Sequence, residues 1–160
     1  MKLSILIVHL LKKILMEKVA DILGVKYPQF NTVSPSHTIN DALYQMCCEN
    51  VEYLIVMDGH KFLGILTEHD IANKVLFNKK PLNEILVRDF MSSSIPVATV
   101  NDSFEHCMQL LEQHNARYIA IFDKFEFKGI VSSYDLMQLA LKKRNDIFEE
   151  VGEKSSYPWL

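Results

Sequence analysis

The chain has 160 residues, 49% of them hydrophobic and 23% charged, a balance that excludes intrinsic disorder and suits one ordinary domain or two small units sharing a core. A net charge of −3, with no cluster of Lys and Arg in the sequence, argues against an electrostatic grip on nucleic acid. Three cysteines, two of them adjacent (Cys47 and Cys48), neither complete a disulfide framework nor show CxxC spacing, so reduced and mostly buried thiols in a cytoplasmic protein are expected.

The chain begins MKLSILIVHLLKKILM, where Lys12 and Lys13 close an apolar run that starts at Leu3. The run falls well short of the ~20 residues of a membrane span, and no small-residue cleavage site follows it. Residues 1–16 therefore read as an amphipathic helix packed on the body, or as an upstream extension of a chain whose natural start is Met16. A membrane-surface or partner-docking helix is the lesser alternative.

From residue 17 the chain repeats itself. At an offset of 65, NVEYLIVMDGHKFLGILTEHDIANKVL (50–76) lies over NARYIAIFDKFEFKGIVSSYDLMQLAL (115–141). Asn50, Tyr53, Asp58, Phe62, Gly64, Ile65, Asp70 and Leu76 all recur at their partner positions. Upstream, Asn31-Thr32-Val33 meets Ala98-Thr99-Val100 at offset 67, and Val19 to Leu23 meets Val87 to Met91 at offset 68. The slips mark loop insertions. The chain divides into an N-terminal segment (1–16), a first repeat (17–76), a linker (77–84) containing the polar FNKKP, a second repeat (85–141) and a tail (142–160) whose charges read as a solvated helix end.

Each repeat opens on a short strand around Thr32-Val33 or Thr99-Val100. An amphipathic helix follows, with Ile39, Ala42, Leu43, Met46 and Cys47 on one face, and Phe104, Cys107, Met108 and Leu111 in the second copy. Thr38, three residues before Asp41, caps the first helix, while Asn50 and Asn115 stand where a left-handed residue would stop each one. The runs YLIVM and YIAIF read as strands buried on both faces. Each enters a hairpin with FLGIL or FKGIV, the first closed through Asp58-Gly59. A last helix opens after Thr67 or Ser132 and runs to about Leu76 or Leu141. Methionines and aromatics are assigned to the core. The six histidines show no metal-ligand spacing, and His69 reads as an exposed first-turn residue.

These residues resemble the tandem cystathionine-β-synthase (CBS) domain pair. The signatures are V-x-D-[IFM]-[LM] (Val19 to Leu23, Val87 to Met91), the T-V strand (Thr32-Val33, Thr99-Val100) and G-h-h-[ST]-x-x-D, with h aliphatic (Gly64 to Asp70, Gly129 to Asp135). They cover about 125 residues of the chain. The resemblance implies an α+β fold of two strand-helix-hairpin-helix repeats in a pseudo-two-fold pair, with two clefts in which many members bind adenine nucleotides or related adenosyl ligands. It also implies that pairs dimerise and regulate an attached or separate enzyme, transporter or channel.

The repeated motif suits such a ligand. A ribose presents vicinal hydroxyls that one ionised carboxylate can accept, and phosphates favour a helix N-terminus with a hydroxyl beside it. Thr67 with Asp70, and Ser132 with Asp135, supply those groups where a strand turns into a helix. Gly64 and Gly129 allow another backbone or a ligand to come close. The same [ST]-x-x-D is also a capping box, worth about 0.5–2 kcal/mol per helix, so on the residues alone both readings stand. Arg117 falls where some family members place a basic phosphate contact, and its counterpart is Glu52, so unequal sites are expected. Thr32, Val33, Val97, Thr99 and Val100 match the cleft edge where family members hold the base, and read equally as strand core.

The expected function is a non-catalytic regulatory module, a homodimer sensing AMP, ADP or ATP, with or without Mg²⁺, and acting on an effector protein in trans. S-adenosylmethionine and NAD rank behind these ligands. The alternative is a ligand-free CBS scaffold for protein–protein interaction. An enzyme ranks last, because no catalytic constellation is visible.

Overall fold

The computed structural model describes residues 18–20, 23, 31–75 and 77–154. The expectations for residues 1–16 and for the end of the tail lie outside the described residues. The chain forms two compact units, one of residues 27–95 and the other of residues 1–26 with 96–160.

In the 27–95 unit, strand β1 (Thr32–Val33) leads through helix α1 (Ile39–Glu49) to β2 (Tyr53–Asp58), which lies parallel to β1 and antiparallel to β3 (Lys61–Thr67). Helix α2 (Glu68–Asp70) follows and widens into a π-helical turn, Ile71–Val75. The short helix α3 (Val87–Phe90) completes the unit. The other unit repeats the plan with β4 (Val97–Thr99), α4 (Phe104–Gln113), β5 (Tyr118–Asp123), β6 (Glu126–Ser132) and α5 (Ser133–Lys154), its sheet ordered β4-β5-β6.

Local chemistry sets the boundaries. The Thr38 hydroxyl accepts from the Asp41 N–H, and the Asp41 carboxylate accepts from the Thr38 N–H in return, starting α1 with two otherwise orphaned donors satisfied. Asn50 stops α1 in the left-handed conformation, φ 53°, and Asn115 follows α4 at φ 46°. Leu54, Ile55 and Val56 in β2, and Ile119, Ala120 and Ile121 in β5, are buried in succession, as expected for strands covered on both faces.

One core gathers Val33, Ile39, Ala42, Met46, Leu54, Val56, Leu66, Ile71, Val75, Ile85 and Val87; the other gathers Val19, Ala98, Phe104, Cys107, Leu111, Ile119, Ile121, Val131 and Leu136. Val87 and Val19 each belong to the V-x-D box of the opposite sequence repeat. The Val87 N–H donates to the His37 carbonyl at 2.9 Å, and the Val19 N–H donates to the Asp102 carbonyl at 3.0 Å. Sequence repeat and compact unit are thus cut differently: each unit is completed by the box that begins the other repeat.

Four readings are corrected. The first hairpin turns on Gly59 and His60, with Asp58 paired to Lys61; Gly59 supplies φ 58° and Lys124 supplies φ 57° in the second hairpin. Helix α5 runs on through Lys154 instead of ending near Leu141. Cys47 and Cys48 are exposed, because the buried stripe of α1 is Ile39, Ala42 and Met46, and Cys47 falls beyond its edge. Tyr44, Phe77, Met108, Phe125, Tyr134 and Met137 are exposed as well, so the methionines and aromatics are not uniformly core. Cys107 is buried, and burial followed by the negative charge of Asp102 pushes its thiol up to about 11. A maleimide added to the native protein at pH 8 should therefore label Cys47 and Cys48 and spare Cys107 until the chain is unfolded; fast native labelling of Cys107, read by peptide mass, would contradict this.

Candidate functional site

The two G-h-h-[ST]-x-x-D motifs occupy equivalent places, at the end of β3 running into α2 and at the end of β6 running into α5. Both are preceded by a bulge. Val56 pairs with Gly64 and Met57 with Phe62, leaving Leu63 as the extra residue; Ile121 pairs with Gly129 and Phe122 with Phe127, leaving Lys128.

The glycines serve different needs. At Gly64 a Cβ would collide with the Ser92 carbonyl oxygen and come within 3.1 Å of the Ser93 Cα. That closeness arises because residue 92 pairs with Ile65, the Ile65 N–H donating to the Ser92 carbonyl at 3.0 Å and the Ser92 N–H to the Ile65 carbonyl at 2.7 Å. Gly129 instead has φ 150°, a conformation that side chains rarely adopt.

Past the glycine, the hydroxyl and carboxylate form a capping box in both copies. Asp70 Oδ2 accepts from the Thr67 N–H at 3.1 Å and from Thr67 Oγ1 at 2.6 Å, while Thr67 Oγ1 accepts from the Asp70 N–H at 3.0 Å. Asp135 Oδ2 accepts from the Ser132 N–H at 2.7 Å and from Ser132 Oγ at 2.6 Å, and Ser132 Oγ accepts from the Asp135 N–H at 3.1 Å. The capping chemistry is therefore present at both motifs. The surroundings differ: Thr67 and Asp70 are buried, whereas Ser132 and Asp135 are half-buried.

Asp70 also holds partners that the motif does not contain. Its Oδ1 accepts from Lys74 Nζ at 2.6 Å and from Ser92 Oγ at 2.8 Å, and Lys74 Nζ reaches Ser92 Oγ at 3.1 Å. Burial alone would push the Asp70 carboxyl up. Hydrogen bonds from Lys74, the Thr67 hydroxyl, Ser92 and the Thr67 N–H together outweigh it and hold the group below its ordinary value of 3.8. Sequence reasoning missed Lys74 and Ser92. An acid four residues before a lysine, Asp70-x-x-x-Lys74, was the available signal for the first; nothing local points to the second.

Arg117 and Glu52 also occupy equivalent places. The Arg117 carbonyl accepts from the Ser133 N–H at 2.9 Å, and the Glu52 carbonyl accepts from the Glu68 N–H at 3.1 Å, so each backbone is held against the start of its motif helix. Both side chains are exposed. Thr32 and Thr99 are exposed, Val33 is buried in the first core, and Val100 packs half-buried against the second, just beyond the end of β4. Each TV segment runs parallel to the central strand of its sheet. His69 is exposed beside Asn73. Among the described residues no group of three or more His, Cys, Asp or Glu side chains could hold a metal ion, and no helix is long and apolar enough to cross a membrane.

Two α+β units built from one repeated plan, each with a capping carboxylate where the last strand of its hairpin runs into a helix, define a tandem-repeat module. The chain belongs to the CBS domain family, which matches residues 19–76 and 87–142. It is 33% identical over 108 residues to the CBS domain-containing protein YhcV of Bacillus subtilis, an alignment spanning 68% of this chain and 76% of that one. Of two archaeal relatives it spans 60% and 56%. Among solved structures it resembles a CBS domain, NE2398, with a TM-score of 0.74 and 28% identity over 79% of this chain and 99% of that one. It shares its fold with CBSX2, solved in complex with AMP, at a TM-score of 0.65 and 23% identity over 79% of this chain and 98% of that one.

Proposed function

We propose that this chain is a cytoplasmic, non-catalytic regulatory module that binds an adenine nucleotide or related adenosyl ligand and acts on a partner protein in trans. The observation that supports this reading best is the pair of capped carboxylates at helix mouths, within a fold shared with a protein solved in complex with AMP. Asp135 would accept from the ribose hydroxyls. Ser132, the positive end of the 22-residue helix α5 and the Arg117 side chain would face phosphate, and Thr99 with Val100 would border the base. Thr67, Asp70, Thr32 and Val33 hold the equivalent places in the first repeat, where Glu52 stands in place of Arg117. AMP, ADP and ATP are the first candidates, with Mg²⁺ accompanying the longer phosphates. S-adenosylmethionine and NAD follow. To regulate, the ligand must favour one of two conformations of the chain.

Tyr134, Met137 and Leu141 lie at i, i+3 and i+7 of α5 and are all exposed, an unpartnered apolar stripe that supports self-association into a homodimer. A second reading, a ligand-free scaffold, is favoured by the complete use of the Asp70 carboxylate within the chain.

A thermal-shift series with AMP, ADP, ATP, NAD and S-adenosylmethionine separates these readings. A ligand at 100 times its dissociation constant adds about 2.7 kcal/mol, a rise of several degrees in Tm that should disappear in Asp135→Asn. Silence across the series, with the protein folded, leaves the scaffold. Light scattering on the same samples should give a dimer mass that Met137→Glu halves; a monomer mass for the unaltered chain removes the dimer.

A further inference from the structure

We infer that Cys47 and Cys48 form a redox-sensitive thiol pair, which a peroxide closes into a disulfide that helix α1 cannot hold, so that its last turn unwinds. Both thiols are exposed at the end of α1, outside its buried stripe of Ile39, Ala42 and Met46. They are adjacent in the chain, so an oxidised sulfur on one finds its resolving thiol on the other. Hydrogen peroxide converts one thiol to a sulfenic acid and releases a water. The neighbouring thiol then attacks that sulfur, the S–S bond forms, and the sulfenic oxygen leaves as a second water. The two thiols lose two hydrogens between them, and the peroxide is reduced to two waters. In a reducing compartment such a bond is transient and serves as a signal.

Backbone geometry sets the consequence. Adjacent Cα atoms are held about 3.8 Å apart, below the range of about 4.4–6.8 Å that disulfides usually take, and a helix splays successive side chains by about 100°. Closing the bond therefore takes residues 47 and 48 out of helical geometry. The Met46 carbonyl accepts from the Asn50 N–H, and from the Val51 N–H at 3.1 Å; these bonds end α1 and are lost with the turn. So is the link from Gln45 Nε2, which donates to the Thr32 carbonyl at 3.2 Å and to Glu49 Oε1 at 3.0 Å. Just beyond, the Glu52 carbonyl accepts from the Glu68 N–H at 3.1 Å and holds the start of α2, so oxidation at α1 is passed to the first motif. At the offset of 65 the second repeat has Glu112 and Gln113 in place of the two thiols, and only the first repeat responds.

Hydrogen peroxide added to the full chain, followed by peptide mass and by hydrogen exchange, tests this. The expected product is a disulfide within one chain: the peptide holding Cys47 and Cys48 is lighter by two hydrogens and closed to maleimide until dithiothreitol is added. In that product the amides of Asn50, Val51 and Glu68 should exchange about tenfold faster or more, while Ala116, which closes α4 by donating to the Leu111 carbonyl, is unchanged. Cys47→Ser and Cys48→Ser should each give neither the product nor the faster exchange. A disulfide between two chains overturns the inference, as does a sulfenic or sulfinic acid as the sole product, or a closed pair with exchange at Asn50 and Val51 unaltered. None of these readouts involves a nucleotide, so failure here leaves the proposed nucleotide reading standing.

Discussion

Replacing Gly64 with valine should destabilise the 27–95 unit by about 3 kcal/mol, the upper end of the usual cost of overpacking. The cause is backbone against backbone. A Cβ at residue 64 meets the Ser92 carbonyl oxygen and carbon, the carbon at 3.0 Å, and residue 92 is pinned by its two hydrogen bonds to Ile65. Relief requires the 92–93 segment to lift from β3, which breaks those bonds and withdraws the Ser92 hydroxyl from Asp70. Since the collision is with the main chain, Ser92→Ala should not rescue the variant. Gly59→Ala is the contrast: a Cβ there meets nothing within 4 Å, and only its φ of 58° is unfavourable, so about 1 kcal/mol is expected. Urea melts of the single and double variants decide the matter. A Gly64→Val variant within 1 kcal/mol of the parent, or one restored by Ser92→Ala, would place the crowding elsewhere.

What could be read from the sequence was what lies close in the chain. The capping boxes Thr67–Asp70 and Ser132–Asp135, the cap at Thr38 and the left-handed Asn50 each depend on residues within a few positions, and periodicity placed α1, α4 and the central strands. The repeat fixed the plan of each unit but not which copy of the V-x-D box completes it, because period carries no information on partner choice between two similar segments. The bulges at Leu63 and Lys128 were equally hidden, since one extra residue changes register without changing composition. Cys47 shows the limit of periodicity at the margin of an apolar stripe, where one position separates core from solvent. At the first motif the Asp70 carboxylate is also held by Lys74 and Ser92. The lysine left a local trace, but the serine arrives from 22 positions away in the chain, through a pairing with β3 that only the fold reveals.

Asp70→Asn should lower the stability of the same unit by about 2–3 kcal/mol at pH 7, because one amide oxygen cannot accept four bonds and its NH₂ would face the donors of Lys74, Ser92 or Thr67. The pH dependence sets this apart from a loss of packing. Asp70 releases its proton more readily in the folded chain than in the unfolded one, where its value is near 3.8. The unfolded state therefore binds more protons as the pH falls into that region, and stability drops with it. The contribution of the ionised carboxylate is whole above the unfolded value and is lost as pH falls through the lower folded one. Asn cannot titrate, so the gap in stability between parent and variant should be widest at neutral pH and close progressively below about pH 4. Lys74 Nζ, 2.6 Å from Oδ1, holds the carboxylate as long as the carboxylate is ionised. Paired urea melts from pH 7 down to pH 3 measure the gap; one that stays constant with pH would mean that the carboxylate's charge contributes nothing and that Asp70 acts by shape alone.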